Sequence, residues 1–177
     1  HTDYDRINSS KIPVRDMVGC FISNELLDSF PVHRFQVNNG SIKEIYVTIK
    51  NDKLTEILSS PSTPLIEQKI SDLGYALPDK YMGEVNLNLG PWISDVYNSL
   101  TKGFVITIDY GHLSEKLYSP MKTVGTLDTY FRNTRSLDIY ENIGKQDITA
   151  HVDFSSLIFE GETVGFKTLK FSTQSEY

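Results

Sequence analysis

Apolar and polar positions alternate between two rhythms along this chain, and the switches between them mark its elements. Residues 18–23, Val-Gly-Cys-Phe-Ile-Ser, form a short continuous apolar run bounded by polar residues, which predicts a strand buried on both faces of a parallel sheet. After Pro31 the pattern becomes two-residue alternation. Residues 32–37 and 42–49 flank Asn38-Asn39-Gly40, residue types that tolerate positive φ, and together predict a hairpin of added antiparallel strands. Thr63 as N-cap, Pro64 at the first position and Gly74 beyond the end predict a helix over 64–73. Residues 75–89 carry little periodicity and predict no element. Helical spacing returns over 91–100, with Trp92, Ile93, Val96 and Leu100 on one face, and Gly103 closes the link to a β-rich strand over 104–108. Helix, then strand, then the acidic tip Asp109 is the rhythm of an α/β unit. Residues 113–146 are rich in Tyr, Arg, Asn and Gly and too long for a passive connector, which suggests a lid or substrate-facing loop. Asp153 is placed to cap a helix running to about Val164, with Gly165 past its end, before a final strand over 167–172 and a helix start at Ser172-Thr173.

Composition narrows the class. With 177 residues and 39% hydrophobic content the chain has enough material for one domain around one core, and disorder is a poor reading. No stretch approaches the roughly 20 apolar residues of a membrane span, so no membrane association is expected. The net charge of −6 comes with scattered Lys and Arg, which disfavours a nucleic-acid partner. The single cysteine, Cys20, lies inside an apolar run and reads as a small buried hydrophobe in a reducing compartment. The chain begins His1-Thr2-Asp3 with no leader and ends shortly after an uncapped helix start, so both ends are expected to be cut.

Chemistry has two candidate locations. In open α/β sheets ligands lie beyond the carboxyl ends of the strands. Two strands here end in acidic, hydrogen-bonding clusters, Asn24-Glu25 with Asp28, and Asp109-Tyr110-Gly111-His112. If those strands are parallel neighbours, both clusters border one crevice. On the residues alone Asn24, Glu25 and Asp28 read first as caps of a helix or turn after the strand, since carboxylates suit a helix N-terminus, and only then as catalytic groups; for Asp109 a solvated turn is the plain alternative. His33, His112, His151 and Cys20 lack the close spacing of a metal site, so no metal is expected. No serine nucleophile elbow, Walker loop or paired-cysteine motif is present. Tyr and Phe, ten and nine residues, are explained by core packing except for Tyr118, Tyr130, Phe131 and Tyr140, which fall in the polar region and suggest a channel lining.

The segment Gly19-Cys-Phe-Ile-Ser-Asn-Glu-Leu-Leu-Asp-Ser-Phe-Pro-Val-His-Arg-Phe35 resembles a characteristic block of the MidA family of S-adenosylmethionine-dependent methyltransferases. That family includes a mitochondrial complex I assembly factor with protein arginine methyltransferase activity. Four further blocks resemble the family in the same order: residues 103–112, Leu117-Tyr-Ser-Pro120, Gly125-Thr-Leu127 and residues 143–154. The chain departs from the family at Lys122 and at Arg132-Asn133.

The resemblance implies an α/β fold, a partial Rossmann-like class I methyltransferase with an antiparallel insertion. Residues 18–31 and 91–177 would form the core sheet and helices, with the fourth and fifth strands at 18–23 and 104–108, and residues 32–90 would be the insertion with its hairpin and helix. The glycine-rich loop and ribose-binding acid of the S-adenosylmethionine half are expected upstream of His1, so this chain alone is expected to be inactive and its cofactor contacts are unknown. Glu25, past the fourth strand, resembles in position the guanidinium-binding glutamate of arginine methyltransferases; Asn24 and Asp28 would orient it or line the site. Asp109, Tyr110, His112, Gln146, Asp147, Thr149 and His151 are candidates for the substrate side. The implied partner is a protein substrate, a respiratory-complex subunit among the candidates, with a homodimer left open. The implied location is cytoplasmic in a bacterium and mitochondrial in a eukaryote. A binding or assembly module without catalysis, and a small-molecule methyltransferase, are the alternatives.

Overall fold

The computed structural model describes residues 12–132, 134–136 and 138–176. The first residues, His1 to Asp3, and Asn133 therefore lie outside the described residues.

The fold is α/β, built on a parallel pair. Strand β1 (Met17–Asn24) runs beside β6 (Leu100–Ile108) in parallel, with Cys20 opposite Phe104 and Asn24 opposite Ile108. The two backbones approach so closely at Gly103 that a β-carbon there would sit 1.8 Å from the Gly19 carbonyl oxygen. Helix α2 (Leu89–Ser99) leads directly into β6, and Phe21 and Val105 pack with its Leu89, Ile93 and Val96 and with Leu27, Val152 and Leu157. Each such fully buried aliphatic chain contributes roughly 1.5–3 kcal/mol. The other face of the pair is bare: Val18 is 75% exposed, Ile22 68% and Phe104 61%. The expectation of burial on both faces is thus corrected, and with it the buried Cys20, which is exposed on this open face. Among the described residues no third strand pairs with these two, and helices pack against one face.

Residues 33–85 form a four-stranded antiparallel sheet, larger than the single expected hairpin. Its strands are β2 (His33–Asn38), β3 (Ser41–Lys50), β4 (Lys53–Ser59) and β5 (Met82–Val85), in the order β4-β3-β2-β5. Asn39 and Gly40 take positive φ at the β2–β3 turn, as the hairpin requires, and Asn51 and Asp52 do the same at the second turn. Strand β5 falls in the segment that lacked periodicity; pairing with β2 rather than alternation makes it a strand. Helix α1 (Pro64–Ser71) lays Ile66 and Ile70 on Phe35, Val37 and Tyr81. Buried Glu44 accepts from Tyr46 Oη and the Ser62 amide and lies 2.7 Å from His33 Nδ1. Burial raises its carboxyl, but the hydrogen bonds from His33, Ser62 and Tyr46 outweigh it and hold it at about 2. His33 is therefore part of a hydrogen-bonded group, with Glu44, Tyr46 and Ser62, that holds the insertion together.

The remaining elements follow β6 in the chain. Strand β7 (Gly111–His112) pairs in parallel with β11 (Val152–Asp153), and helix α3 (Ser114–Leu117) follows β7. Strands β8 (Asp128–Phe131), β9 (Thr134–Ser136) and β10 (Asp147–Thr149) form a small antiparallel sheet in the stretch that resembled a lid. Helix α4 (Phe154–Val164) starts at Asp153, whose side chain accepts from the Ser155 and Ser156 amides, and ends at Gly165 with φ 114°. The expected final strand is absent: residues 167–172 have no ladder partner among the described residues, and a short 3-10 turn occupies Gln174–Glu176. No helix among the described residues is long and apolar enough to cross a membrane.

Candidate functional site

The tips of β1 and β6 lie side by side because the strands are in parallel register up to Asn24 and Ile108. The chain then turns sharply at Glu25. Its amide donates to the Ile108 carbonyl at 2.9 Å, and its backbone adopts the left-handed region at φ 46°, which a non-glycine residue reaches only at an energetic cost. No helix directly follows β1, so the helix-cap half of the plainer reading is corrected; a turn does follow, with Asp28 and Ser29 in it.

The loop after β1 is held from three directions. From β6, Asp109 Oδ2 accepts the Leu26 amide at 3.2 Å and the Leu27 amide at 2.9 Å, while Oδ1 accepts the Tyr110 amide at 2.9 Å. From the segment before α2, Asn86 Nδ2 donates to the Leu27 carbonyl and Asn88 Nδ2 to the Pro31 carbonyl. From the end of β10, the Ala150 amide donates to the Asp28 carbonyl at 2.9 Å. A carboxylate accepting several backbone amides makes strong, charge-assisted contacts, so Asp109 is a brace for this loop rather than a solvated turn.

Side chains then converge over the loop. Exposed Tyr110 donates its hydroxyl to Glu25 Oε1 at 3.3 Å, and the Glu25 charge raises its phenol above the usual range. Tyr130 on β8 lies close enough to add to that rise. Asp28 is only 6% exposed, and its Oδ1 has no hydrogen-bond partner. Burial raises its carboxyl, as do the nearby charges of Asp109 and, more weakly, Glu25; the Ser29 amide offsets part of this. Three carboxyls and a tyrosine hydroxyl thus surround one strand tip. That set suits a cationic group, whether sulfonium or guanidinium.

Other residues singled out from the sequence are distributed around this centre. Asn24 is exposed at the end of β1. His112 on β7 meets His151 edge-on, ring centres 5.8 Å apart, and burial lowers the basicity of His112. Thr149 ends β10 beside the Ala150 amide that holds Asp28. Asp147 is exposed opposite Tyr130 in the β10–β8 ladder. Gln146 donates to the Ile139 carbonyl and keeps a buried Oε1 without a partner. Neither Asp147 nor Gln146 hydrogen-bonds the acidic cluster among the described residues. Tyr118 is buried and donates to the Glu84 carbonyl, and Tyr140 donates to Glu56, so these two are structural rather than channel-lining.

The sequence reading missed Asn86, Thr126 and Glu84. Glu84, its carboxyl raised by burial, accepts the Thr126 amide and hydroxyl, and Thr126 Oγ1 in turn accepts the His151 amide at 3.0 Å. Gly125 belongs to this clamp, since a β-carbon there would lie 1.9 Å from Glu84 Oε1. The motif Gly125-Thr126-Leu127 was the available signal, but no local pattern names its partner 42 residues away. A water-sized cavity of about 10 Å³ lies between Tyr81, Glu84, Tyr118, Thr126 and His151. Among the described residues no group of three or more His, Cys, Asp or Glu is placed to hold a metal.

Comparison with known proteins identifies the family of this chain. The model of a family described as "Putative S-adenosyl-L-methionine-dependent methyltransferase" matches residues 4–172. A Caenorhabditis elegans protein named "Protein arginine methyltransferase NDUFAF7 homolog, mitochondrial" is 28% identical over 142 residues, covering 77% of this chain and 31% of its own length. The Homo sapiens protein arginine methyltransferase NDUFAF7, mitochondrial, is 30% identical over 146 residues, covering 77% and 29%. A crystal structure of a COG1565 superfamily member from Burkholderia thailandensis, bound to S-adenosyl-homocysteine, superposes with a TM-score of 0.80 at 26% identity, over 89% of this chain and 40% of that one. The chain therefore spans about a third of the length of these curated relatives, and it belongs to this family of S-adenosyl-L-methionine-dependent methyltransferases.

Proposed function

We propose that this chain supplies the acceptor side of an S-adenosylmethionine-dependent methyltransferase that modifies an arginine side chain of a protein. The observation carrying this reading is the group of carboxyls at the joined tips of β1 and β6, where Asp109 braces the loop, Tyr110 engages Glu25, and Asp28 keeps a buried oxygen free. A guanidinium is the acceptor such a set fits: its planar fork takes carboxylate oxygens two at a time and its charge is balanced by them. Glu25 would be the clamp, with Asn24 and Asp28 lining the site and His112, Thr149 and His151 flanking the substrate side. Support for the acceptor class comes from the relatives named as protein arginine methyltransferases.

The cofactor supplies the methyl group as an electrophile; this chain's residues hold and orient the nucleophile. The glycine-rich half that holds the adenosyl group belongs, on this reading, to sequence outside residues 1–177, so the chain by itself does not transfer methyl groups. The relatives named as mitochondrial support a mitochondrial location if the source is a eukaryote; for a bacterial source a cytoplasmic location is part of the same proposal.

Replacing Glu25 with glutamine in the full-length polypeptide removes one charge from the acceptor side and leaves the cofactor side untouched. Methyl transfer from radiolabelled S-adenosylmethionine to an arginine-containing protein is expected to fall about a hundredfold, chiefly through a higher acceptor KM, while cofactor affinity measured by calorimetry stays unchanged. Undiminished turnover would remove Glu25 from the clamp role.

A further inference from the structure

We propose that Asp28 is a catalytic residue whose Oδ1 takes the proton leaving the acceptor nitrogen during methylation, a role separate from the binding role of Glu25. This inference rests on the acceptor-side reading above.

The division of labour follows from what each carboxylate already does. Asp109 has both oxygens engaged by backbone amides, those of Leu26, Leu27 and Tyr110. Glu25 is exposed and receives the Tyr110 hydroxyl. Asp28 is more than nine-tenths buried, and its Oδ1 receives no donor. A buried acceptor left empty forfeits its water without recovering a hydrogen bond, and native structures keep few of them without a reason. Slack in the loop is not that reason, because the residues around Asp28 are pinned by Asp109, Asn86 and Ala150 at once.

The chemistry requires an acceptor of this kind. As the nitrogen lone pair attacks the methyl carbon, an N–C bond forms and the C–S bond breaks, both of its electrons staying on sulfur, which becomes a neutral thioether. The acceptor then carries one proton too many for a singly charged methylguanidinium. That N–H proton passes to the Asp28 carboxylate, which becomes a neutral acid and later releases it to water. The titratable groups facing Asp28 are Asp109 on the β6 tip and Glu25 on its own loop, with Tyr110 beyond them. Burial first, and then repulsion from Asp109 and Glu25, make this position hold a proton more readily than an exposed aspartate does.

The test compares wild type, Asp28→Asn and Asp28→Glu. In the full-length polypeptide, Asp28→Asn is expected to lower kcat about a hundredfold with acceptor KM within about twofold, and to abolish the acidic limb of the pH–rate profile. Asp28→Glu is expected to recover part of kcat and restore that limb. A second readout needs neither cofactor nor turnover: the thermal stability of the chain against pH. Because the folded-state carboxyl is raised, its favourable contribution is fully present below the unfolded value of 3.8 and is lost as pH rises through the folded value. Asp28→Asn is therefore expected to flatten that dependence and to be at least as stable as wild type at pH 7. An Asp28→Asn protein with unchanged kcat and an intact acidic limb would overturn the proposal, as would one destabilised at pH 7, which would mark a structural aspartate. A wild-type full-length protein that methylates no arginine would instead overturn the acceptor-side reading, and this inference with it.

Discussion

Replacing Asp109 with alanine is expected to lower methyl transfer by the full-length polypeptide about a thousandfold, more than removing Glu25. The substitution deletes the acceptor of the Leu26 and Leu27 amides, which lie on the loop that carries both Glu25 and Asp28. Misplacing a reacting group by about an ångström is worth roughly a hundredfold, and here two groups lose their reference to β6 together. Charge-assisted hydrogen bonds of this kind contribute about 1.5–3 kcal/mol each. Partial exposure of Asp109 reduces that, so a loss of about 2 kcal/mol in local stability is expected. The check is amide hydrogen exchange: Leu26 and Leu27 should lose protection while the four-stranded sheet keeps its own. Retained protection at both amides, with turnover near wild type, would show that Asp109 is not the brace.

The second large effect is expected at Gly103. Alanine there would place its β-carbon 1.8 Å from the Gly19 carbonyl oxygen and within 3.2 Å of the Gly19 nitrogen, so backbone rather than a yielding side chain stands in the way. One of the two strands must move, and with it the register that sets Asn24 opposite Ile108. A destabilisation of about 4 kcal/mol or more, at the upper end for single substitutions, is expected by chemical denaturation, with activity lost. Gly19→Ala is the internal control, because its β-carbon would meet nothing closer than Met17 Cε at 3.9 Å. Equal effects of the two substitutions would contradict the close approach.

Nothing in the local sequence separates these two glycines. Gly19 lies inside an apolar strand and Gly103 reads as the end of a helix-to-strand link; only the pairing of β1 with β6 shows which one is crowded. The same contrast holds across the fold. Elements defined by their own side chains were legible: β1, α2, β6 and above all α4, whose Asp153 cap and Gly165 terminus both stand where residue type placed them. Elements defined by a partner were not. Strand β5 exists because β2 lies beside it, and the expected strand over 167–172 lacks any neighbour among the described residues. In the site, acidic residues at two strand ends were visible as candidates, and the parallel register does bring Glu25, Asp28, Asp109 and Tyr110 together. The residues that hold them there were invisible, because Asn86, Thr126 and Glu84 act through contacts across 25 to 59 positions of sequence.

The bare side of the parallel pair carries the one cysteine of these 177 residues. Cys20 sits in the row of Val18, Ile22 and Phe104, so maleimide labelling, located at Cys20 by peptide mass spectrometry, reads the state of that side. Rapid labelling of the chain by itself, set against slow labelling of the full-length polypeptide, would show how far the rest of the enzyme lies over these residues; equal rates would mean that they stay wet in both.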